Sequence, residues 1–479
     1  MHRRVFNVAV EKATILDADA TTLGEMIRRQ EITSTEATKM YIEHIKKMNP
    51  KINFLIEDRF STALAEAENA DRQILNNQAS GELFGVPMSM KESFHIEGMK
   101  TTGGVVHRKN AIQTADAEVV RKLKEAGAIL LGKTNTPELC FCQETDNKLY
   151  GRTNNPRDLE RTVGGSSGGE AAMIAIGGAA AGLGSDIGGS IRFPSHFNGV
   201  VGFKSGRGQV SAIGSYPSEE DELQSRMLGI GPITKSVQDA KLIYNIIAKK
   251  QAEEQSLNKF TINILPATDY PLSSETASLL KSTEHLLSDR FSIERNMPPF
   301  FKESASLWQE IMSINGAEMM QKEAFSGKSI SPMRSYITDI ISGKAENHRY
   351  LSWALIGASL FKPNQNRIDE IRNFIAKGDA VLEDYLNERI LLFPVYHSTA
   401  PKHGVVYKEI FSIRKTFKKY MPYVAYANVW GLPSLTIPVG EDENGMPIGL
   451  QLMSKNGNEE ALFQLGLEIE KECAMYKRA

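Results

Sequence analysis

The sequence predicts an α/β protein. Helix and strand signals alternate from Thr33 to Leu131 with glycines between them, and strand signals return at Ile390–Val395 and Ser434–Val439 after a long, mostly helical stretch. Taken in order, Thr33-Ser34-Thr35-Glu36 has capping-box spacing ahead of the amphipathic run Ala37–Lys47. Ser61–Asn76 reads as a second, alanine-rich helix. Phe84–Met90 is a strand signal that ends at Lys91. Ala117–Ala126 is helical, Gly127 stops it, and Ala128–Leu131 is a buried strand. Glu170–Ala181, rich in alanine and glycine, reads as a helix buried on all sides. Pro232–Lys249 is expected to be another helix. From about Thr261 to Leu391 the pattern is mostly helical, with a long run at Asn366–Glu388. There is no internal repeat and no low-complexity linker.

The whole-chain properties exclude several classes. At 479 residues the chain can hold a large core or two to three domains. Its 56 lysines and arginines nearly balance 58 aspartates and glutamates, so neither nucleic acid nor an acidic membrane is favoured as a partner. Apolar residues at 41% fit a soluble globular chain. Three cysteines, Cys140, Cys142 and Cys473, do not make a disulfide framework, and the Cys140–Cys142 pair has no second pair to complete a zinc site. No two of the nine histidines have H-x-x-x-H spacing, so a metal-dependent hydrolase is not expected. The apolar run at the N-terminus is short and broken by Asn7, Glu11 and Lys12, which reads as neither a signal peptide nor a membrane span and leads to a cytoplasmic expectation.

The chemistry is concentrated in Val163–Ser195, VGGSSGGEAAMIAIGGAAAGLGSDIGGSIRFPS. Two serines lie among glycines there, Ser166 in GGSSGG and Ser190 in DIGGSIRFPS, 24 positions apart, and Lys91 stands upstream in GVPMSMKES. Glycine lets a ligand approach the main chain closely, so such serines can face several backbone N–H groups aimed at one point. That suits attack on a carbonyl and stabilisation of the resulting oxyanion. A phosphate loop is excluded because Glu170, not lysine, follows Gly169. A dinucleotide fingerprint fails because Ile187 stands where the third glycine belongs. Close packing accounts for some of Gly177, Gly178 and Gly182, but not for two serine clusters plus a lysine. Lys91 at a strand end after Gly-Val-Pro is a candidate for burial, and desolvation lowers a lysine pKa from about 10.4.

These motifs closely resemble the amidase signature family, together with GKTNTPEL (132–139), YGRTNNPRDLERT (150–162), GVVGFK (199–204), GPITKSVQDA (231–240), GLPSLTIPVG (431–440) and GMPIGLQLM (445–453). The resemblance runs from about Thr22 to about Glu470 and is weakest from about Gln251 to about Leu391. It implies one domain with a mixed, twisted sheet surrounded by helices: a core at about 60–240 and 390–475, a variable, mostly helical region at about 251–390, and N-terminal helices at 21–77. By the same resemblance Ser190 is the nucleophile, Ser166 is a bridging serine with a cis peptide bond, and Lys91 is the base acting through Ser166. Ile187, Gly188, Gly189 and Ser190 are the implied oxyanion donors. Ser167, Asp186 and Arg192 are implied supports, Arg192 through a fan of hydrogen bonds to backbone carbonyls. A hydroxyl both donates and accepts, so the relay is physically sound. A helix beginning after Gly168-Gly169 would favour negative charge near Ser166 and Ser167. The chain departs from the family pattern at Lys204-Ser205-Gly206, where Lys-Pro-Thr is common, and at Glu92, where aspartate is commoner.

Three activities fit this resemblance, none calling for a cofactor or a metal: a stand-alone amidase, the A subunit of a glutamine-dependent tRNA amidotransferase, and a fatty acid amide hydrolase. The substrate is then a small-molecule or acyl amide, and a homodimer stays open. The amidotransferase subunit should carry an acid shortly before its Ala-Asn-x-x-Gly-Leu-Pro segment, yet Lys419–Gly440, which includes Ala427–Pro433, contains none. KTNTPELCFCQETDN (133–147) likewise replaces the Met-Asp-Glu-Phe type of segment. The lipid reading rests on the apolar stretches Met312–Met320 and Tyr350–Phe361, which equally suit ordinary core helices, with Cys140–Cys142 as candidate pocket lining.

Overall fold

Eleven strands form one mixed sheet in the computed structural model, which describes residues 12–218, 221–266, 271–410, 417–473 and 476–479. The N-terminal apolar run falls largely outside these residues. The strands are β1 (Leu55–Asp58), β2 (Pro87–Lys91), β3 (Ile129–Thr134), β4 (Ala181–Asp186), β5 (Val201–Lys204), β6 (Gly229–Thr234), β7 (Thr261–Ile264), β8 (Ile293–Glu294), β9 (Arg389–Pro394), β10 (Ser434–Glu441) and β11 (Pro447–Met453). Their spatial order is β1-β3-β2-β4-β6-β5-β10-β11-β9-β7-β8. β2 runs parallel to both β3 and β4, and β7 runs parallel to β8 and β9; the remaining pairs are antiparallel. β2 and β3 are buried at every residue, as expected of parallel strands covered on both faces.

Local chemistry explains several elements as expected. Thr33 and Glu36 form a reciprocal capping box, and the helix runs Ser34–Ile52. The second helix is Phe60–Leu75, and the next is Glu118–Glu125. Gly127, at φ +91°, ends it and turns the chain into β3, while its carbonyl accepts from the Gly85 N–H at 2.9 Å. Phe84–Val86 is a turn against Gly127 rather than strand, so β2 begins only at Pro87.

Other expectations are corrected. The buried helix is Gly168–Ala175; the chain turns at Gly177 (φ +69°), and Ala181 already belongs to β4. Pro232–Thr234 is strand, because β6 pairs with β4 on one side and β5 on the other, and the helix begins at Val237. The long run beginning near Asn366 is the helix Gln365–Tyr385. The region after Thr261 is not purely helical: β7 and β8 extend the sheet beyond β9, with Ile262 and Ile264 buried. Among the described residues, no helix is long and apolar enough to cross a membrane.

The carboxyl ends of β2, β3 and β4 lie side by side, with Lys91 opposite Thr134 and Met90 opposite Leu183. Ligands of open α/β sheets bind at such ends. An alanine Cβ at Gly127 would lie 2.6 Å from the Cα of Phe84, which the backbone cannot absorb without moving the start of β2. Gly127→Ala should therefore cost at least about 1–3 kcal/mol, seen as a lower midpoint in urea denaturation.

Candidate active site

Lys91 ends β2 with no exposed surface. Its Nζ lies 2.7 Å from Ser166 Oγ and 2.9 Å from Ser185 Oγ. Burial pushes the amine below the ordinary lysine range, against the opposing pull of Cys140, Asp186 and Glu170. Glu170, on the first turn of the helix Gly168–Ala175, is buried between the Ser89 and Thr134 hydroxyls, the latter at 2.6 Å. Burial raises its carboxyl to about 7, partly offset by those two hydroxyls and by Lys91. The interior around the amine therefore disfavours charge on both groups.

Ser166 follows a cis peptide bond from Gly165, and its carbonyl accepts from Thr136 Oγ1 at 3.0 Å. The Ser167 N–H donates to the Ser190 carbonyl at 3.0 Å, which holds the two serine loops together. Ser190 itself is 4% exposed and lines a cavity. Its hydroxyl is not hydrogen-bonded to that of Ser166.

Asp186 ends β4 and organises the turn that follows. Its carboxylate accepts from the N–H groups of Gly189 (2.8 Å) and Ile191 (3.0 Å). Arg192, fully buried, grips it from two sides through Nε and Nη2, both at 3.0 Å. Burial alone would raise the Asp186 carboxyl, but the guanidinium, Lys204 and Asn428 hold it well below the usual carboxylate range. The other guanidinium bonds reach Asn428 Oδ1 (2.5 Å), Gln451 Oε1 (3.0 Å) and the Val424 carbonyl (2.9 Å). The expected fan to backbone carbonyls is thus mainly a fan to side chains. The Gly189 N–H is spent on Asp186, which narrows the expected donors at the cavity to Ile187, Gly188 and Ser190. The Ile187 carbonyl accepts from Trp308 Nε1 at 2.7 Å, and the Gly188 carbonyl from Gln143 Nε2 at 3.1 Å. Both carbonyls are thereby held by cavity-lining side chains.

The cavity and the open solvent at its mouth together span about 860 Å³. Ser190, Ile187 and Gly188 form one part of its wall. The rest comes from 140–143, from Trp308, Met312 and their neighbours, and from the 353–361 stretch. None of its lining side chains is charged. The apolar stretches singled out in the sequence therefore reach the cavity through Met312 and through Trp353–Phe361. Cys140, Phe141 and Cys142 reach it too.

Sequence reasoning missed several neighbours. The Cys140 thiol lies against the Lys91 amine and 3.4 Å from Thr136 Oγ1. It is presented there by left-handed backbone at Leu139 (φ +51°) and Cys140 (φ +58°), a conformation that costs non-glycine residues about 1–3 kcal/mol each. Asn428 and Gln451 stand inside the quoted segments 427–433 and 445–453, but nothing in their spacing points to Arg192. Glu92 accepts from Thr102 and Gly103 and so fixes that loop. Lys204 donates to the Ser205 and Leu432 carbonyls, and burial lowers its amine to about 7. Both departures from the family pattern are accommodated without touching Lys91, Ser166 or Ser190. Among the described residues, no group of three or more His, Cys, Asp and Glu side chains could hold a metal ion.

The Amidase family model matches residues 36–463. Fatty-acid amide hydrolase 2-B of Danio rerio is 34% identical, over 95% of this chain and 90% of that protein. The A subunit of the glutamyl-tRNA(Gln) amidotransferase of Lachnospira eligens is 30% identical, over 96% of this chain and 98% of that protein. Among solved structures, a 6-aminohexanoate cyclic dimer hydrolase complexed with substrate shares the fold at a TM-score of 0.81 and 23% identity, covering 96% of this chain and 98% of that one.

Arg192→Met would leave the Asp186 carboxylate buried without its partner, at a cost of about 3–5 kcal/mol. Because the Asp186 pKa is depressed, its contribution is fully present above about pH 4 and is lost as pH falls through the folded value. The variant should unfold at lower denaturant at pH 7, and its deficit should narrow toward strongly acidic pH.

Proposed function

The chain belongs to the amidase family and is an amide-hydrolysing enzyme, and from that premise we propose that it cleaves an amide with a large apolar acyl group through Lys91, Ser166 and Ser190. The observation that carries the choice of substrate is the uncharged, mostly apolar lining of the cavity that contains Ser190, in which the polar side chains besides Ser190 are Gln143, Gln309 and Ser313. A glutamine substrate brings an ammonium and a carboxylate, and burying these against such a wall is costly without counter-charges. An apolar acyl chain gains by the same burial. The similarity to fatty-acid amide hydrolases points the same way.

In this reading neutral Lys91 accepts the Ser166 proton while Ser166 accepts the Ser190 proton. The Ser190 oxygen then bonds to the amide carbon. The relay needs the Ser190 hydroxyl to turn toward Ser166 as substrate binds, and catalytic hydrogen bonds often tighten only in the substrate complex. The carbonyl oxygen becomes an oxyanion facing the N–H groups of Ile187, Gly188 and Ser190; losing one such donor typically costs about 3–4 kcal/mol. The proton returns through Ser166 to the amine as the C–N bond breaks, leaving an acyl-Ser190 ester. Water, deprotonated through the same pair, releases the acid and regenerates the serine. Asp186 and Arg192 hold the turn that carries the donors, and Ser167 ties it to Ser166.

Ser190→Ala should abolish both amide hydrolysis and labelling by a fluorophosphonate while leaving the circular-dichroism spectrum unchanged. The parent should release ammonia from long-chain primary amides faster than from acetamide, benzamide or glutamine, with no added subunit, tRNA or ATP. Labelling of the Ser190→Ala protein at the parent's rate would refute the nucleophile. Glutamine as the fastest substrate would refute the apolar one.

A further inference from the structure

Among the α-helical glycines described, Gly357 is the exception. An added Cβ would press on Val86 at Gly24, on Thr145 at Gly168, on the Asn135 backbone at Gly169, on Trp430 at Gly378 and on Leu435 at Gly466. Packing accounts for each of those. At Gly357 such a Cβ would meet nothing within 4 Å. Glycine is the poorest helix former after proline, so an interior helical glycine with open space beside it is not explained by the helix Arg349–Leu360 itself.

The open space belongs to the cavity. Gly357 lines it, and so do Trp353 and Phe361, one turn before and one turn after on the same side of the chain. The Trp353 ring packs against Tyr336, with centroids 5.1 Å apart. Two aromatic side chains thus flank a position that carries no side chain. We propose that Gly357 is a specificity-determining residue: the notch between Trp353 and Phe361 admits the apolar acyl chain of the substrate across the helix, and the missing side chain sets how long a chain the enzyme accepts. This rests on the reading of the cavity as the site of an apolar acyl group.

A side chain at 357 fills the notch while Lys91, Ser166 and Ser190 stay in place. The test is the rate of p-nitroaniline release from acetyl, hexanoyl, decanoyl and hexadecanoyl p-nitroanilides by the parent, Gly357→Ala and Gly357→Leu. In the parent, kcat/KM should rise from acetyl to the longer chains. Gly357→Leu should lower the hexadecanoyl-to-acetyl ratio by at least about tenfold, the scale of a misfit of one or more methylenes in an apolar pocket. Gly357→Ala should lower it less and should melt no lower than the parent, since alanine is the better helix former. Should Gly357→Leu fail to fold, the direction of change in Gly357→Ala decides. A parent preference for long chains that survives unchanged in the folded variants overturns this inference alone. A parent with no such preference overturns the apolar-acyl reading and this inference with it.

Discussion

A primary amine held out of water is the constraint on which this site depends. Lys91 ends a strand that is buried throughout, and around its Nζ are hydroxyls, a thiol, the Glu170 carboxyl that burial pushes toward neutrality, and, further off, the Asp186 carboxylate that Arg192 holds charged. In water the amine would be protonated and useless as a base near neutral pH. At the carboxyl end of β2, desolvation shifts it toward the neutral form, and its Nζ lies 2.7 Å from Ser166 Oγ, the contact through which the proposed mechanism moves a proton. The parallel register of β2 with β3 and β4 puts this amine beside the ends of both neighbours, which supply Thr134 and Asp186.

A second constraint holds the other half of the site. The proposed mechanism asks the turn after β4 to show N–H groups to the cavity, and Asp186 collects the N–H groups of Gly189 and Ile191 in that turn. Asp186 and Arg192 clamp it from within, and Arg192 reaches helix and strand residues more than 230 positions away in sequence, at Val424, Asn428 and Gln451. Trp308 and Gln143, both on the cavity wall, donate to the carbonyls of Ile187 and Gly188 and so fix that peptide stretch. A buried ion pair is a costly way to fix a loop, and it suits a loop whose carboxylate must also collect backbone donors.

What can be read in the sequence follows chemical range. Capping at Thr33, the stop at Gly127 and the apolar runs of β2, β3 and β9 are local, and they are legible. The glycine-wrapped serines and Lys91 are legible as a motif, although the structure also packs neighbouring atoms within 3 Å of where a Cβ would stand at Gly165, Gly168, Gly169, Gly188 and Gly189. β4, β5 and β11 do not read as strands, since their glycines and prolines mask a strand pattern in a sheet whose pairing is non-local. The short strands β7 and β8 are hidden in a mostly helical region for the same reason. The partners of Arg192 and the approach of Cys140 to Lys91 are not legible, because each joins segments by tertiary packing or by left-handed backbone at non-glycine residues, neither of which has a signature in spacing. The apolar stretches near Met312 and Tyr350–Phe361 are visible but ambiguous, and only the fold puts them on the wall shared with Ser190.

The role of Lys91 as a neutral base is tested most directly by the pH dependence of the acylation rate, followed by rapid mixing with a chromogenic amide, for the parent, Lys91→Ala and Lys91→Arg. The parent rate should rise with pH through one ionisation below that of a free lysine, about 10.4. Both variants should lose that ionisation and fall by about 100- to 10,000-fold, since a guanidinium keeps its charge and cannot take a proton. A Lys91→Arg protein that keeps most of the parent rate with an unchanged pH profile would contradict this role.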